Sequence, residues 1–345
     1  MPSPTVVDGR NVALDGVRGL AALSVALGHC VLMVAGLDVW SKTIADFPAM
    51  TSEQITERAL FLLFPGNAAV MVFFVLSGFV LWGSFARKRM TLADLPDYLC
   101  ARVFRLMPLV MVSTLLMAMF QQTSALQLLA NMLLLSISLN HVLWSLQVEM
   151  VGSVMIFALW ILTRNEPGRL FLALCVLGAA VPFFRGNYLV VHLPAFVLGA
   201  LIHHVAAPVW RSRALLCLAV VVLVVPSIFF SYRGITRVFE IVAATAVVGC
   251  VSVQRPAVLE TPIVNFLGAI SYPFYLLHPL GVASAVTLMG PLPATNYLSQ
   301  IVIYAVVSIG ISLPIAWLLH MTIEMPAIRL RPRLGRKPIG APPPA

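Results

Sequence analysis

Charge is what this sequence lacks most. Only 10% of its 345 residues are Asp, Glu, Lys or Arg, and just 13 are acidic, whereas a soluble domain carries about a quarter charged residues. That shortage excludes a chain whose whole surface faces water. Strict polar/apolar alternation is also missing, which argues against a transmembrane β-barrel. The five cysteines, Cys30, Cys100, Cys175, Cys217 and Cys250, are scattered, and their spacing suggests neither a zinc site nor a disulfide framework. No repeat of fixed period and no nucleic-acid-binding module is present.

What the chain has in abundance is apolar sequence, at 60% of residues. Continuous runs recur from residue 13 to residue 320, each long enough to cross a hydrocarbon core of about 30 Å as a helix. The expected fold is an all-α polytopic transmembrane bundle of about ten spans: 13–35, 59–84, 103–121, 144–163, 169–185, 188–206, 213–232, 238–254, 263–288 and 297–320. The first run is read as a retained span, too long for a signal-peptide core. Leu126–Leu139 is too short to span and is expected to be re-entrant or interfacial. Residues 1–330 form one transmembrane domain. Residues 331–345, rich in Pro and Arg, are expected to be a disordered cytoplasmic tail.

The net charge of +9 sits in short connections, which suits topology and anionic lipid better than nucleic acid. With both termini inside and Leu126–Leu139 not crossing, 17 of the 22 Lys and Arg fall on the inner side and five on the outer. That bias supports the topology. The outer connection between the first two spans is the longest, and with Trp40 and Phe47 it could cover the outer mouth.

Ionisable groups inside a span are costly and mark a functional site by default. In the first span, Arg18 and His29 are eleven residues apart. They share a helix face and are separated by about 16 Å along the axis. In the fourth span, Ser145 and Glu149 are i, i+4 neighbours next to Trp144. In the ninth, Ser271, Tyr275 and His278 share one face. The topology puts His29, Glu149 and His278 in the outer half of the membrane. Arg102 and Arg105 stand on one side of the third span at its inner mouth, where two guanidiniums can hold phosphate oxygens. Each group has a plainer reading. A buried histidine can simply donate to a carbonyl, and an inner arginine pair taken by spacing alone reads better as an anchor on lipid phosphates.

The motifs, taken in order, resemble those of the acyltransferase-3 family. Leu14-Asp15-Gly16-Val17-Arg18-Gly19-Leu20-Ala21-Ala22 with His29 is similar to its opening motif, and Phe73-Phe74-Val75-Leu76-Ser77-Gly78-Phe79 to its second-span motif. Arg102-x-x-Arg105 and Trp144-Ser145-Leu146-x-x-Glu149 follow. Ser271-Tyr272-Pro273-Phe274-Tyr275-Leu276-Leu277-His278 and Ile323-Glu324-Met325-Pro326 complete the set. The resemblance implies a multi-pass O-acyltransferase of the cytoplasmic (inner) membrane. It would move an acyl group, acetyl by expectation, from cytoplasmic acetyl-CoA or another acyl-CoA to a hydroxyl of a cell-envelope or secreted glycan or glycosylated metabolite. In the family, activity is tied to the residues matching Arg18, His29, Arg102 and Arg105.

On this basis the CoA phosphates are expected on Arg102 and Arg105, with the pantetheine arm passing Arg18. His29 would serve as base or transient acyl carrier, and Glu149 would orient its imidazolium, while Ser77, Trp144, Ser145, Tyr275 and His278 line the substrate pocket. No metal is expected. An exporter of acylated glycan or small acids is the competing class, and assembly, including a homo-oligomer, is open.

Overall fold

The computed structural model describes residues 11–184, 186–230, 234–290 and 297–332; the expected tail, Arg10, Arg185 and Arg233 lie largely or wholly outside them. The described residues form helices and no strand. In chain order these are α1 (Val12–Ala35), α2 (Ser52–Leu63), α3 (Gly66–Lys88), α4 (Leu95–Ala118), α5 (Ala125–Met132) and α6 (Leu143–Thr163). There follow α7 (Pro167–Ala180), α8 (Tyr188–Val191), α9 (Leu193–Leu201), α10 (Ala207–Trp210), α11 (Arg213–Val224) and α12 (Pro226–Phe229). The chain closes with α13 (Ile235–Gln254), α14 (Pro262–Ala269), α15 (Ser271–Met289), α16 (Tyr297–Leu319) and α17 (Met325–Leu330).

Among the described residues, seven helices are long and apolar enough to cross a membrane, and eight if α14 and α15, bent by 79° at Ile270, count as one span. This all-α polytopic bundle is the expected fold with a lower count of full-length spans. The difference lies at the expected sixth and seventh spans. There the chain forms shorter apolar helices, Tyr188–His204 and Arg213–Phe229, of at most 17 residues. A continuous helix of that length rises about 26 Å, short of the hydrocarbon thickness. Proline explains the interruptions, since it cannot donate its own backbone hydrogen bond: Pro194 sits in the first turn of α9 and Pro226 opens α12. The segment after α4 also behaves as expected, because the eight residues of α5 cannot cross. Leu126 and Leu135 are exposed, while Asn131 is fully buried and bonds the Leu139 amide at 3.0 Å.

α1 lies at the centre, packed on α3, α14, α15 and α16, and α3 packs on α6, α9 and α13. The α3–α9 contact is close because it is built on glycine. A Cβ on Gly78 would run into the Phe196 carbonyl, and one on Gly199 into the Val75 carbonyl. Small residues let backbones approach in this way inside membranes. The span expected at 59–84 divides at Pro65. α2 is a separate helix against α1 and α16, at the end of α1 that carries His29. Arg58 of α2 is buried and donates to the carbonyls of Val39 and Ser227, tying the connection after α1 to the bundle.

Candidate active site

α1, α3, α4, α6 and α15 surround a cavity of about 320 Å³. Its polar wall holds Arg18, Arg102, Arg105, Glu149, Ser145 and Tyr275, with apolar side chains of α3 opposite. Helical spacing produces this convergence. Arg102 and Arg105 are three apart on α4, Ser145 and Glu149 are one turn apart on α6, and Ser271 and Tyr275 are one turn apart on α15. Ser145 Oγ and the Tyr275 hydroxyl, both lining the cavity, are 2.8 Å apart.

The arginines are held unequally. Arg102 is buried and ion-paired with Glu149, and its Nε is buried with no acceptor among the described residues. Arg18 stands 3.6 Å from Asp15 one turn earlier. Arg105 lines the cavity, and none of the described residues hydrogen-bonds or ion-pairs with it. Among the charged side chains that line the cavity, three are guanidiniums and one, Glu149, is a carboxylate. Anionic ligands are favoured there far more than at a water-exposed surface.

Beyond Tyr275 lies a pair of histidines. The Tyr275 and His278 rings are 5.7 Å apart between centroids, and those of His278 and His29 are 4.8 Å apart. His278 is fully buried, and its Nε2 lies 3.3 Å from Nδ1 of His29. Three bonded pairs, Arg102 with Glu149, Ser145 with Tyr275 and His278 with His29, thus occur on these helices, and the last two are linked by the 5.7 Å approach of the Tyr275 and His278 rings.

Of the residues singled out in the sequence, Arg18, Ser77, Arg102, Arg105, Ser145, Glu149 and Tyr275 line this one cavity. His29, His278 and Trp144 do not. Trp144 lies behind Phe74, with ring centroids 6.0 Å apart, and against His192 at 5.1 Å. It is therefore packed against a lining residue without lining this cavity itself. The expected pairing of Glu149 with His29 is not what the structure contains. Glu149 is paired with Arg102, and His29 bonds the Val25 carbonyl and His278. Arg102 lies seven residues inside α4 and Glu149 six inside α6, and the topology expected from the sequence has these two helices entering from opposite sides. The long guanidinium side chain bridges that gap, and a buried carboxylate takes the nearest full cation.

Ser271 and Tyr272 also line the cavity, and the Tyr272 hydroxyl donates to the Leu106 carbonyl at 2.6 Å. Tyr272 was legible only as part of a motif, since nothing in its spacing separates it from an ordinary buried aromatic. Residues 320–324 form a π-helical turn, where His320 Nδ1 meets Glu324 at 2.7 Å.

The model of one protein family, described as an acyltransferase domain and corresponding to the acyltransferase-3 family, matches residues 11–317. The motif at 323–326 lies beyond the matched stretch. No curated protein matches the chain significantly, and neither does any solved structure.

Proposed function

Taking as premise that the chain belongs to the acyltransferase-3 family, we propose that it moves an acyl group, acetyl in the simplest case, from cytoplasmic acyl-CoA to a hydroxyl of a glycan or glycosylated metabolite. As an acyltransferase and a multi-pass membrane protein it needs no further argument. The donor, the acceptor, the inner membrane and the cytoplasmic termini are the proposal.

The observation that carries it is the cationic cavity with Arg105, which has no partner among the described residues. A volume of about 320 Å³ is enough for a pantetheine arm and too small for a whole acyl-CoA, and in this reading the nucleotide phosphates stay at the mouth. There Arg105 supplies the free guanidinium, and Arg102 is held in place by Glu149 instead of being spent on it. Arg18 and His29 sit on one continuous helix, about 16 Å apart along its axis. An arm anchored at the arginines therefore points its thioester toward His29. His29 is not among the lining residues, and in this reading the thioester reaches it by way of Ser145 and Tyr275.

At His29 the imidazole takes the proton of the acceptor hydroxyl while the hydroxyl oxygen attacks the thioester carbonyl. The carbon–sulfur bond breaks, the new ester bond forms, and the CoA thiolate recovers the proton from the imidazolium. No charge is left in the membrane at the end of the cycle.

Purified protein in lipid nanodiscs, supplied with acetyl-CoA and a cell-envelope glycan extract, should release CoA in step with ester formed on the glycan. His29→Ala, at equal abundance and thermal stability, should release none. Movement of glycan or small acids with no CoA released would mean an exporter, and wild-type turnover in His29→Ala would remove the base.

A further inference from the structure

We propose that His278 is the positioning residue for His29, and that it works as a neutral hydrogen-bond acceptor in the place where the carboxylate of a catalytic triad would stand. The inference rests on the reading of His29 as the base, and it names how that base is held.

Proton placement follows from the acceptors. A backbone carbonyl can only accept. His278 Nδ1 lies 2.7 Å from the Tyr275 carbonyl, so Nδ1 carries the ring proton. A neutral imidazole has only one such proton, which leaves Nε2 with its lone pair. That lone pair faces His29 Nδ1 at 3.3 Å. His29 Nδ1 also lies 2.9 Å from the Val25 carbonyl, so the proton of His29 is on Nδ1 as well, shared between two acceptors. His29 Nε2 is then the nitrogen with a lone pair, and it is the one able to take a proton from a hydroxyl.

The alternative protonation is excluded by the same geometry. A doubly protonated His278 would point an N–H at the N–H of His29, two donors 3.3 Å apart. Among the described residues, neither Glu149 nor any other carboxylate is bonded to either ring; Glu149 is committed to Arg102. His278 is fully buried, and Tyr275 and His29 flank its ring, so the acceptor is fixed in position. When His29 gains its second proton, the Nδ1–H becomes a charge-assisted donor to His278 Nε2. That bond stabilises the charged state formed in the transition state, as the carboxylate does in a triad. Its loss should cost roughly ten- to a hundred-fold in turnover.

The test uses full-length protein labelled with ¹⁵N-histidine in nanodiscs, with ring nitrogens read by solid-state NMR and turnover read as CoA release. In the wild type, both His29 and His278 should be Nδ1–H tautomers. His278→Leu should move the His29 Nδ1 signal and lower kcat by roughly ten- to a hundred-fold with KM for acetyl-CoA unchanged. His278→Gln, whose side-chain carbonyl can accept from His29, should restore most of the turnover. An Nε2–H tautomer at either histidine would overturn the inference. So would unchanged kcat in His278→Leu, or equal loss in the Leu and Gln variants when both are folded. Absence of CoA release from the wild type would refute the acyl-transfer reading instead, and the tautomers would still decide the placement of the protons.

Discussion

Replacing Glu149 by glutamine should destabilise the protein more than replacing Glu149 and Arg102 together. The carboxylate and the guanidinium pair on the cavity wall, with side chains only 16% and 10% exposed. Removing one member of such a pair strands the other charge in a low-dielectric surround, at a typical cost of about 3–5 kcal/mol. The residual exposure to the cavity favours the lower end, about 3 kcal/mol. In Glu149→Gln the stranded Arg102 also shares its cavity with Arg18 and Arg105, so the repulsion is not relieved locally. In the double variant Arg102→Gln/Glu149→Gln no charge is stranded, and stability should return to within about 1 kcal/mol of wild type. Denaturant unfolding in detergent, read by tryptophan fluorescence, gives the cycle directly. The same cycle between Glu149→Gln and His29→Ala should be additive within about 0.5 kcal/mol, because the two residues share no contact. Additive losses for Arg102 and Glu149, or strong coupling between Glu149 and His29, would refute the assignment of Glu149 to the arginine.

Other outcomes follow from the same geometry. Gly78→Leu or Gly199→Leu drives side-chain atoms into the facing carbonyl of the α3–α9 contact and should lower stability by at least about 1–3 kcal/mol, seen as a fall in melting temperature in detergent. Arg58→Met removes the donor to the Val39 and Ser227 carbonyls; amide exchange over residues 37–49 should quicken while helix α3 stays protected. Asp46 accepts from the Thr43 amide and hydroxyl, bonds that hold its carboxyl below the ordinary aspartate range. Its folded value lies below its unfolded value, so this turn is supported above the unfolded value. The support is lost as pH falls through the folded one, and amide protection at residues 43–46, corrected for the intrinsic exchange rate at each pH, should fall only under acid.

The bundle and much of the cavity could be read from the chain because both rest on short-range rules. Apolar length marks helices, and i, i+3 or i+4 spacing puts Arg102 with Arg105, Ser145 with Glu149 and Ser271 with Tyr275. Partner choice between helices was not legible. Depth arithmetic treats residues as points on an axis, so it put Glu149 level with His29 and missed the reach of the Arg102 side chain. His278 was legible as a polar residue on the right face of its helix, but its neighbour is set by the α1–α15 packing. The two short helices were missed because they fall only two or three residues short of the expected spans, Tyr188–His204 against 188–206 and Arg213–Phe229 against 213–232, a difference that a hydropathy window does not resolve. Trp144 packs on Phe74, which lines the cavity, and is not itself among the lining residues, a distinction that spacing along one helix does not make.

The central claim is that the acyl donor is held by the arginines around the cavity, and the most direct measurement is calorimetric titration of CoA into the nanodisc-held protein. Wild type should bind, and Arg105→Gln, which removes the one guanidinium without a partner among the described residues, should bind at least about ten-fold more weakly at unchanged thermal stability, the loss of one charge-assisted contact of about 1.5 kcal/mol. Equal affinity in the two proteins, or no binding to the wild type, would contradict it.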